Sequence, residues 1–223
     1  MKTRLKTCVK YFVCLLVLTG FNVASAGSYE DFFKAIKLDN VAGIQQLLTR
    51  GMDVNTLDPQ GQNGLIVAIL EPSPKVARML VDAPKIDLNA LNANGESALM
   101  LAALKGQLDL AVQMVKKDAD VNKTGWTPLH YAASSGQLPL IELLIQNHAY
   151  IDAESPNGTT PLMMASMYGT PAAVKLLLGE GADPQLKNQQ GLSAAEFAKR
   201  ANRQDVAELI AASIRARRPA GNW

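Results

Sequence analysis

The sequence predicts an all-α fold, a solenoid of about six stacked helix-turn-helix repeats joined by hairpin loops, and three observations carry that expectation. A glycine recurs at Gly61, Gly95, Gly125, Gly158 and Gly191, at spacings of 34, 30, 33 and 33 residues. Each opens a similar phrase: Gly-Gln-Asn-Gly-Leu-Ile, Gly-Glu-Ser-Ala-Leu-Met, Gly-Trp-Thr-Pro-Leu-His, Gly-Thr-Thr-Pro-Leu-Met and Gly-Leu-Ser-Ala-Ala-Glu. After the phrase come two apolar sets at helical spacing, as in Leu129, Ala132, Ala133 and then Leu138, Ile141, Leu144, Ile145. Two short antiparallel helices cannot bury their apolar faces alone, so stacking of units has to hold the molecule together.

The first element in the chain is an export signal. Residues 1–26 carry Lys2, Arg4, Lys6 and Lys10, then an apolar run from Tyr11 to Leu18, a Gly20 break and the small triplet Ala24-Ser25-Ala26. This is the layout of a signal peptide cleaved after Ala26, with a mature chain starting at Gly27. The apolar run is far shorter than the roughly 20 residues that span a bilayer, so no permanent membrane anchor is expected. Cys8 and Cys14, the two cysteines of the chain, leave with this segment. The mature protein then has neither a disulfide framework nor a cysteine nucleophile. Loss of the four cations leaves 18 basic residues against 20 acidic ones and moves the formal net charge from +2 to −2. Without a basic excess, nucleic acid is not an expected partner.

The repeat domain is expected over residues 27–214, with units near 28–57, 58–91, 92–122, 123–154, 155–187 and 188–214 and a frayed tail at 215–223. The first unit opens with a capping-box-like Ser28-Tyr29-Glu30-Asp31 and continues through Phe32, Ala35, Val41, Ile44, Leu47 and Leu48. Its Glu30, Lys34 and Lys37 suit an end unit whose outer face meets water. In the fourth and fifth units Thr127 and Thr160 stand as N-caps with Pro128 and Pro161 at the first helical position. Gly136 and Gly169 are expected to stop those helices by adopting positive φ. The last unit carries Ala195, Phe197, Ala198, Val206, Leu209 and Ile210, with Lys199, Arg200 and Arg203 between them.

A period near 33 with Thr127-Pro128-Leu129-His130-Tyr131-Ala132-Ala133, followed by Gly136 and Ile141-Glu142-Leu143-Leu144, resembles the ankyrin-repeat family. The next unit repeats the pattern as Thr160-Pro161-Leu162, Gly169, Val174-Lys175-Leu176-Leu177 and Gly181-Ala182-Asp183. Gly51-Met52-Asp53-Val54-Asn55 and Ala119-Asp120-Val121-Asn122 look like the hairpins between the family's repeats. Departures mark irregular places. Glu71-Pro72-Ser73-Pro74 replaces a glycine turn, Pro84-Lys85-Ile86-Asp87 lengthens a hairpin by one residue, and Asn122-Lys123-Thr124-Gly125 is three residues short, which should clip that finger.

The resemblance implies that His130 braces neighbouring backbone by hydrogen bonds. His148, the other histidine, stands where a hairpin glycine is usual, and neither metal-ligand spacing nor a protease-like triad accompanies the pair. No catalytic, cofactor-binding or metal site is therefore expected. Met163, Met164 and Met167 lie at helical spacing and permit one alternative, a copper-handling protein with thioether ligands. Methionine filling gaps between small residues is the competing explanation, and Met163, like Met100, occupies the histidine position of its unit. Asn122-Lys123-Thr124 and Asn157-Gly158-Thr159 match glycosylation sequons, which matter only in a eukaryotic host.

Members of the family bind partners through hairpin tips and the solvent-facing part of the first helix. The resemblance carries that concave surface onto Leu104, Lys105, Trp126, Ser134, Ser135, Asn157, Met167 and Tyr168. Apolar Leu, Trp, Met and Tyr at positions where solvated residues would serve mark a contact surface. Isolated exposed apolar residues on an ordinary surface are the plainer alternative. Together with the export signal, this implies a non-enzymatic module of the bacterial periplasm, or secondarily a secreted one. It would be monomeric when unbound and would bind, shield or inhibit one or more partner proteins.

Overall fold

The computed structural model of the chain describes residues 27–217. The expected export signal with its two cysteines, and residues 218–223 of the expected tail, lie outside the described residues. Helices follow one another in pairs: α1 (residues 27–37) and α2 (Val41–Thr49), α3 (Gly64–Leu70) and α4 (Pro74–Val81), α5 (Ala98–Lys105) and α6 (Leu108–Lys116). The second half continues with α7 (Pro128–Ser135) and α8 (Leu138–Gln146), α9 (Pro161–Met167) and α10 (Pro171–Gly179), α11 (Ala194–Arg200) and α12 (Gln204–Arg217). Among the described residues there are no strands beyond two isolated antiparallel bridges, Leu57 with Asn63 and Leu91 with Ser97, at the feet of hairpins.

Each first helix packs on the first helix of the next unit, most closely from α5 through α7 and α9 to α11, and each second helix on the next second helix. The close approach follows from composition. Ala98, Ala102, Ala103, Ala132, Ala133, Ala165, Ala194 and Ala198 are all buried between units, while Leu65, Leu99, Leu129 and Leu162 fill the layer between helices and are at most 1% exposed. The N-cap expectation holds at Thr160, whose side chain accepts the backbone N–H of Met163, and Asn63 and Ser97, which the sequence reading did not single out, cap in the same way through Ile66 and Met100.

Hairpins are tied to one another by a ladder of side chains. Asn55 donates to the Lys85 carbonyl and accepts from Asp87 N–H, both at 2.8 Å. Asn89 accepts from Asp120 N–H at 2.9 Å, Asn122 joins the His148 carbonyl and Tyr150 N–H, and Asp152 accepts from Asp183 N–H at 3.1 Å. Three residues beyond a ladder position, Asp58, Asn92 and Ser155 close the hairpin tip: the N–H of each reaches a carbonyl four residues on, at Gln62, Glu96 and Thr159. The shortened finger has lost that second position. Counted back from Thr127, the tip residue would be Asn122, which already serves the ladder. Lys123 Nζ instead reaches the carbonyls of Thr124 and Trp126 at 3.2 and 3.3 Å, so the finger is clipped as its length predicts.

Two expectations are corrected and a third is refined. Gly136 does end α7 with φ of 69°, but Gly169 does not take positive φ; its requirement is space, because a Cβ there would lie 2.3 Å from the Ala133 carbonyl oxygen of the preceding unit. The last helix does not fray at Arg215. It continues to Arg217, whose guanidinium donates to the carbonyls of Ala182 and Leu178 and so caps the end of the neighbouring α10. At Thr127 the hydroxyl lies 2.9 Å from His130 Nδ1, so the cap is shared with an imidazole.

Candidate functional site

The site rests on His130 of the fourth unit, which is fully buried at the third position of α7 beneath it. Its Nε2 stands 2.9 Å from the Thr159 carbonyl, a group that only accepts, so Nε2 carries the proton. Nδ1 is then the acceptor for Thr127 N–H at 3.2 Å. One ring thus fixes both its own helix start and the finger of the fifth unit. Burial pushes the His130 pKa down to about 4, against the opposing backbone groups of Thr159 and Ala153, leaving the imidazole neutral. The bracing role expected for it is what the geometry provides.

Above it, the Trp126 ring meets the imidazole edge-to-face with centroids 5.1 Å apart. The clipped finger exposes one side of this ring to a hollow of about 310 Å³ on the concave face. Its walls are Trp126 from the fourth unit, Asn157, Thr159, Met164, Met167 and Tyr168 from the fifth, and Asn188, Gln190, Leu192, Phe197 and Arg200 from the sixth. Four of the eight residues carried over from the sequence, Trp126, Asn157, Met167 and Tyr168, are therefore together. Tyr168 is 62% exposed although Met167 and Gly169 on either side of it are half-buried.

The other four are placed differently. Leu104, 38% exposed, and Lys105 lie at the end of α5 in the third unit, outside the hollow. Ser134 and Ser135 both turn their hydroxyls back to the Tyr131 carbonyl at 2.9 Å and line no hollow with the rest. Phe197 and Arg200, read from the sequence only as part of an end unit, belong to the wall. Aligning the unit starts at Thr160 and Ser193 puts Phe197 in the place of Met164 and Arg200 in the place of Met167, a signal the repeat register contained.

The methionines of the copper reading are divided. Met163 is 1% exposed and its sulfur accepts Thr160 N–H at 3.4 Å, as Met100 sulfur accepts Ser97 N–H at 3.3 Å. It stands in for the capping imidazole, and only Met164 and Met167 reach the hollow. Among the described residues no three His, Cys, Asp or Glu side chains are grouped as a metal site. In the sixth unit Glu196 takes the same capping place, and its hydrogen bonds from Ser193 lower its pKa.

At the other end of the concave face a hollow of about 600 Å³ lies between α1, α3 and the second unit's finger, lined by Tyr29, Phe33, Leu38, Val67 and Leu70 among others. Between the two ends, Tyr131 donates to Glu96 at 3.0 Å, and burial together with that carboxylate raises the pKa of the phenol.

Comparison with known proteins places this architecture. The family model for ankyrin repeats matches three times, over residues 32–124, 84–155 and 139–218. A chain of the solved structure of a predatory endopeptidase from Bdellovibrio bacteriovorus in complex with an immunity protein is similar at 28% identity and a TM-score of 0.70, over 82% of this chain and 97% of that one. An ankyrin repeat domain from Acinetobacter baumannii is similar at 25% identity and a TM-score of 0.71, over 82% and 96%. The nuclear factor NF-kappa-B p105 subunit of Gallus gallus is 32% identical over 162 residues, 69% of this chain but 16% of that protein, so the chain spans about a sixth of this curated relative.

Proposed function

This chain belongs to the ankyrin-repeat family, whose repeats mediate protein–protein interaction, and we propose that it is a non-enzymatic module of the bacterial periplasm that shields or inhibits a partner protein through its concave face. The observation that carries the reading is the hollow over His130, where Trp126, Met167 and Tyr168 from successive units face a gap left by the clipped finger. Aromatic side chains presented together in a concavity are the usual anchors of an interface. The similarity to a chain from a complex of an endopeptidase with an immunity protein supports an inhibitory or protective form of the function. Residues 1–26, with their signal-peptide layout, support export.

Two measurements test this. Fractionation of cells expressing the full chain, with N-terminal sequencing, should recover a periplasmic protein beginning at Gly27; an unprocessed cytoplasmic product overturns the location. A partner captured from periplasmic extract should then bind Trp126→Ala and Tyr168→Ala each more weakly by over about 1 kcal/mol, the level that separates anchors from passive contacts. Unchanged affinity in both, with melting temperatures preserved, removes the hollow from the binding surface.

A further inference from the structure

The hollow between the fourth, fifth and sixth units has a one-sided charge that restricts what it receives. Among the residues lining it, Arg200 is the single charged one, and no carboxylate faces it. The three salt bridges among the described residues lie elsewhere, at Lys37, Arg78 and Lys117, so the Arg200 guanidinium keeps its donors.

Two of its three amides are turned the same way, beside a Gln190 amide and a Thr159 hydroxyl that can each donate or accept. Asn157 Oδ1 is occupied by the Ser155 hydroxyl at 2.6 Å and Thr159 N–H at 3.2 Å, and Asn188 Oδ1 by Gln190 N–H and Leu192 N–H, both at 3.0 Å. Both acceptors are thus consumed in shaping their hairpins, which leaves the two NH₂ groups. Asn188 is only 6% exposed, yet no buried side-chain nitrogen or oxygen among the described residues lacks a partner, so its free NH₂ opens to the surface. Guanidinium and amide donors bordered by Trp126, Met164, Met167, Tyr168 and Phe197 form a site for an acceptor carried next to an apolar group.

We infer that this hollow receives an acidic-apolar loop of the partner: an Asp or Glu side chain held by Arg200, Asn157 and Asn188, with an adjacent large apolar side chain against Trp126, Met167 and Tyr168. The inference rests on the concave-face reading above and names the chemistry of its occupant. An internal segment fits better than a chain terminus because the clipped finger leaves the Trp126 side unwalled, so a chain can enter over it and leave again. A planar guanidinium matches a carboxylate through two parallel hydrogen bonds, and with the aromatic wall excluding water this pairing is far stronger than one on an open surface.

The test uses a phage-displayed library of disulfide-closed heptapeptides, selected on protein purified from cells expressing the full chain. Selected loops should carry Asp or Glu within two residues of Trp, Phe, Tyr, Leu or Met. As synthetic peptides with both termini blocked, they should bind about tenfold more weakly to Arg200→Gln and weaker still to Arg200→Glu, with partial recovery in Arg200→Lys. Arg200 is exposed, so these variants should melt as the parent does. Loops without a carboxylate, binding that requires a free C-terminus, or equal affinity for Arg200→Gln overturns the inference. Loops that lose affinity on Tyr168→Ala and Trp126→Ala but not on Arg200→Gln overturn the carboxylate while leaving the concave surface standing. Loops indifferent to all three changes overturn both.

Discussion

Replacing His130 by Met puts into the fourth unit the side chain that the third and fifth already use at this position. The methionine sulfur can accept Thr127 N–H, as Met100 and Met163 accept from Ser97 and Thr160, but it cannot donate to the Thr159 carbonyl. The Thr159 carbonyl keeps its hydrogen bond from Ser155 N–H and loses only the one from the imidazole, a net contribution of about 0.5 to 1.5 kcal/mol, so His130→Met should be less stable by that amount at pH 7. Acid changes the comparison. In the unfolded chain the imidazole takes a proton near 6.5, whereas the folded one stays neutral to about 4. The unfolded state therefore binds the extra proton throughout that window. The contribution of neutral His130 is complete above 6.5 and is lost as pH falls towards 4, by about 3 kcal/mol at about 1.4 kcal/mol per unit. His130→Met has no such loss, so the two stability curves should converge and can cross between pH 7 and 4. Urea denaturation followed by far-ultraviolet circular dichroism at pH 7, 5.5 and 4.5 measures this directly. Curves that stay parallel across the window would refute the assignment of a neutral, doubly bonded His130.

Leu129→Ala and Leu162→Ala each remove a fully buried side chain between units and should cost about 2 to 5 kcal/mol in the same urea measurement. Gly169→Ala should cost about 2 kcal/mol or more, because its Cβ would meet the Ala133 carbonyl, a backbone atom that cannot rotate away. Asp152 occupies the ladder position held by Asn55, Asn89 and Asn122. Burial, then the charge of Asp183, raises its pKa against the hydrogen bond from Asp183 N–H, so its charge opposes folding at neutral pH. Asp152→Asn keeps the acceptor for that N–H and should stabilise by a few tenths of a kcal/mol at pH 7, the small size reflecting its partial exposure. That gain should shrink as pH falls through the carboxylate range, where the parent sheds the same charge; urea midpoints at pH 7 and 4 compare the two.

The fold was legible because its period is written in residues with one physical job each. A threonine or serine cap, a proline at the first helical position and alanines on one stripe leave little besides a thin helix packed closely on its neighbours. Trp126, Met167 and Tyr168 were legible for the complementary reason, being too apolar for the solvated positions the register gave them. Phe197 and Arg200 escaped because an end unit is expected to be irregular, and a phenylalanine beside buried alanines reads as core. Gly169 was misread because two constraints call for the same residue: positive φ and a carbonyl at van der Waals distance both demand that Cβ be absent. Only the second operates there, and it depends on Ala133 in another unit, which local sequence cannot express. The helical extent of Arg215 to Arg217 was likewise set at a distance, by the carbonyls at the end of α10.

Because the hollow draws its walls from three successive units, its shape is only as constant as the stacking between them. That stacking is held at the first helices by contacts that leave no slack: the His130 ring between the fourth and fifth units, the missing Cβ of Gly169 against Ala133, and Arg203 reaching the carbonyls of Ala165 and Ser166 from the sixth unit at 3.1 Å. None of these groups lines the hollow, yet each fixes the distance between residues that do. A solenoid whose units interact only with their neighbours otherwise yields locally. Under the proposed function, binding at Trp126 and Tyr168 is therefore coupled to the stability of the fourth-to-sixth-unit interfaces. The surface residues around the hollow can vary without disturbing the core, whereas the buried imidazole and the glycine beneath them cannot change without changing its shape.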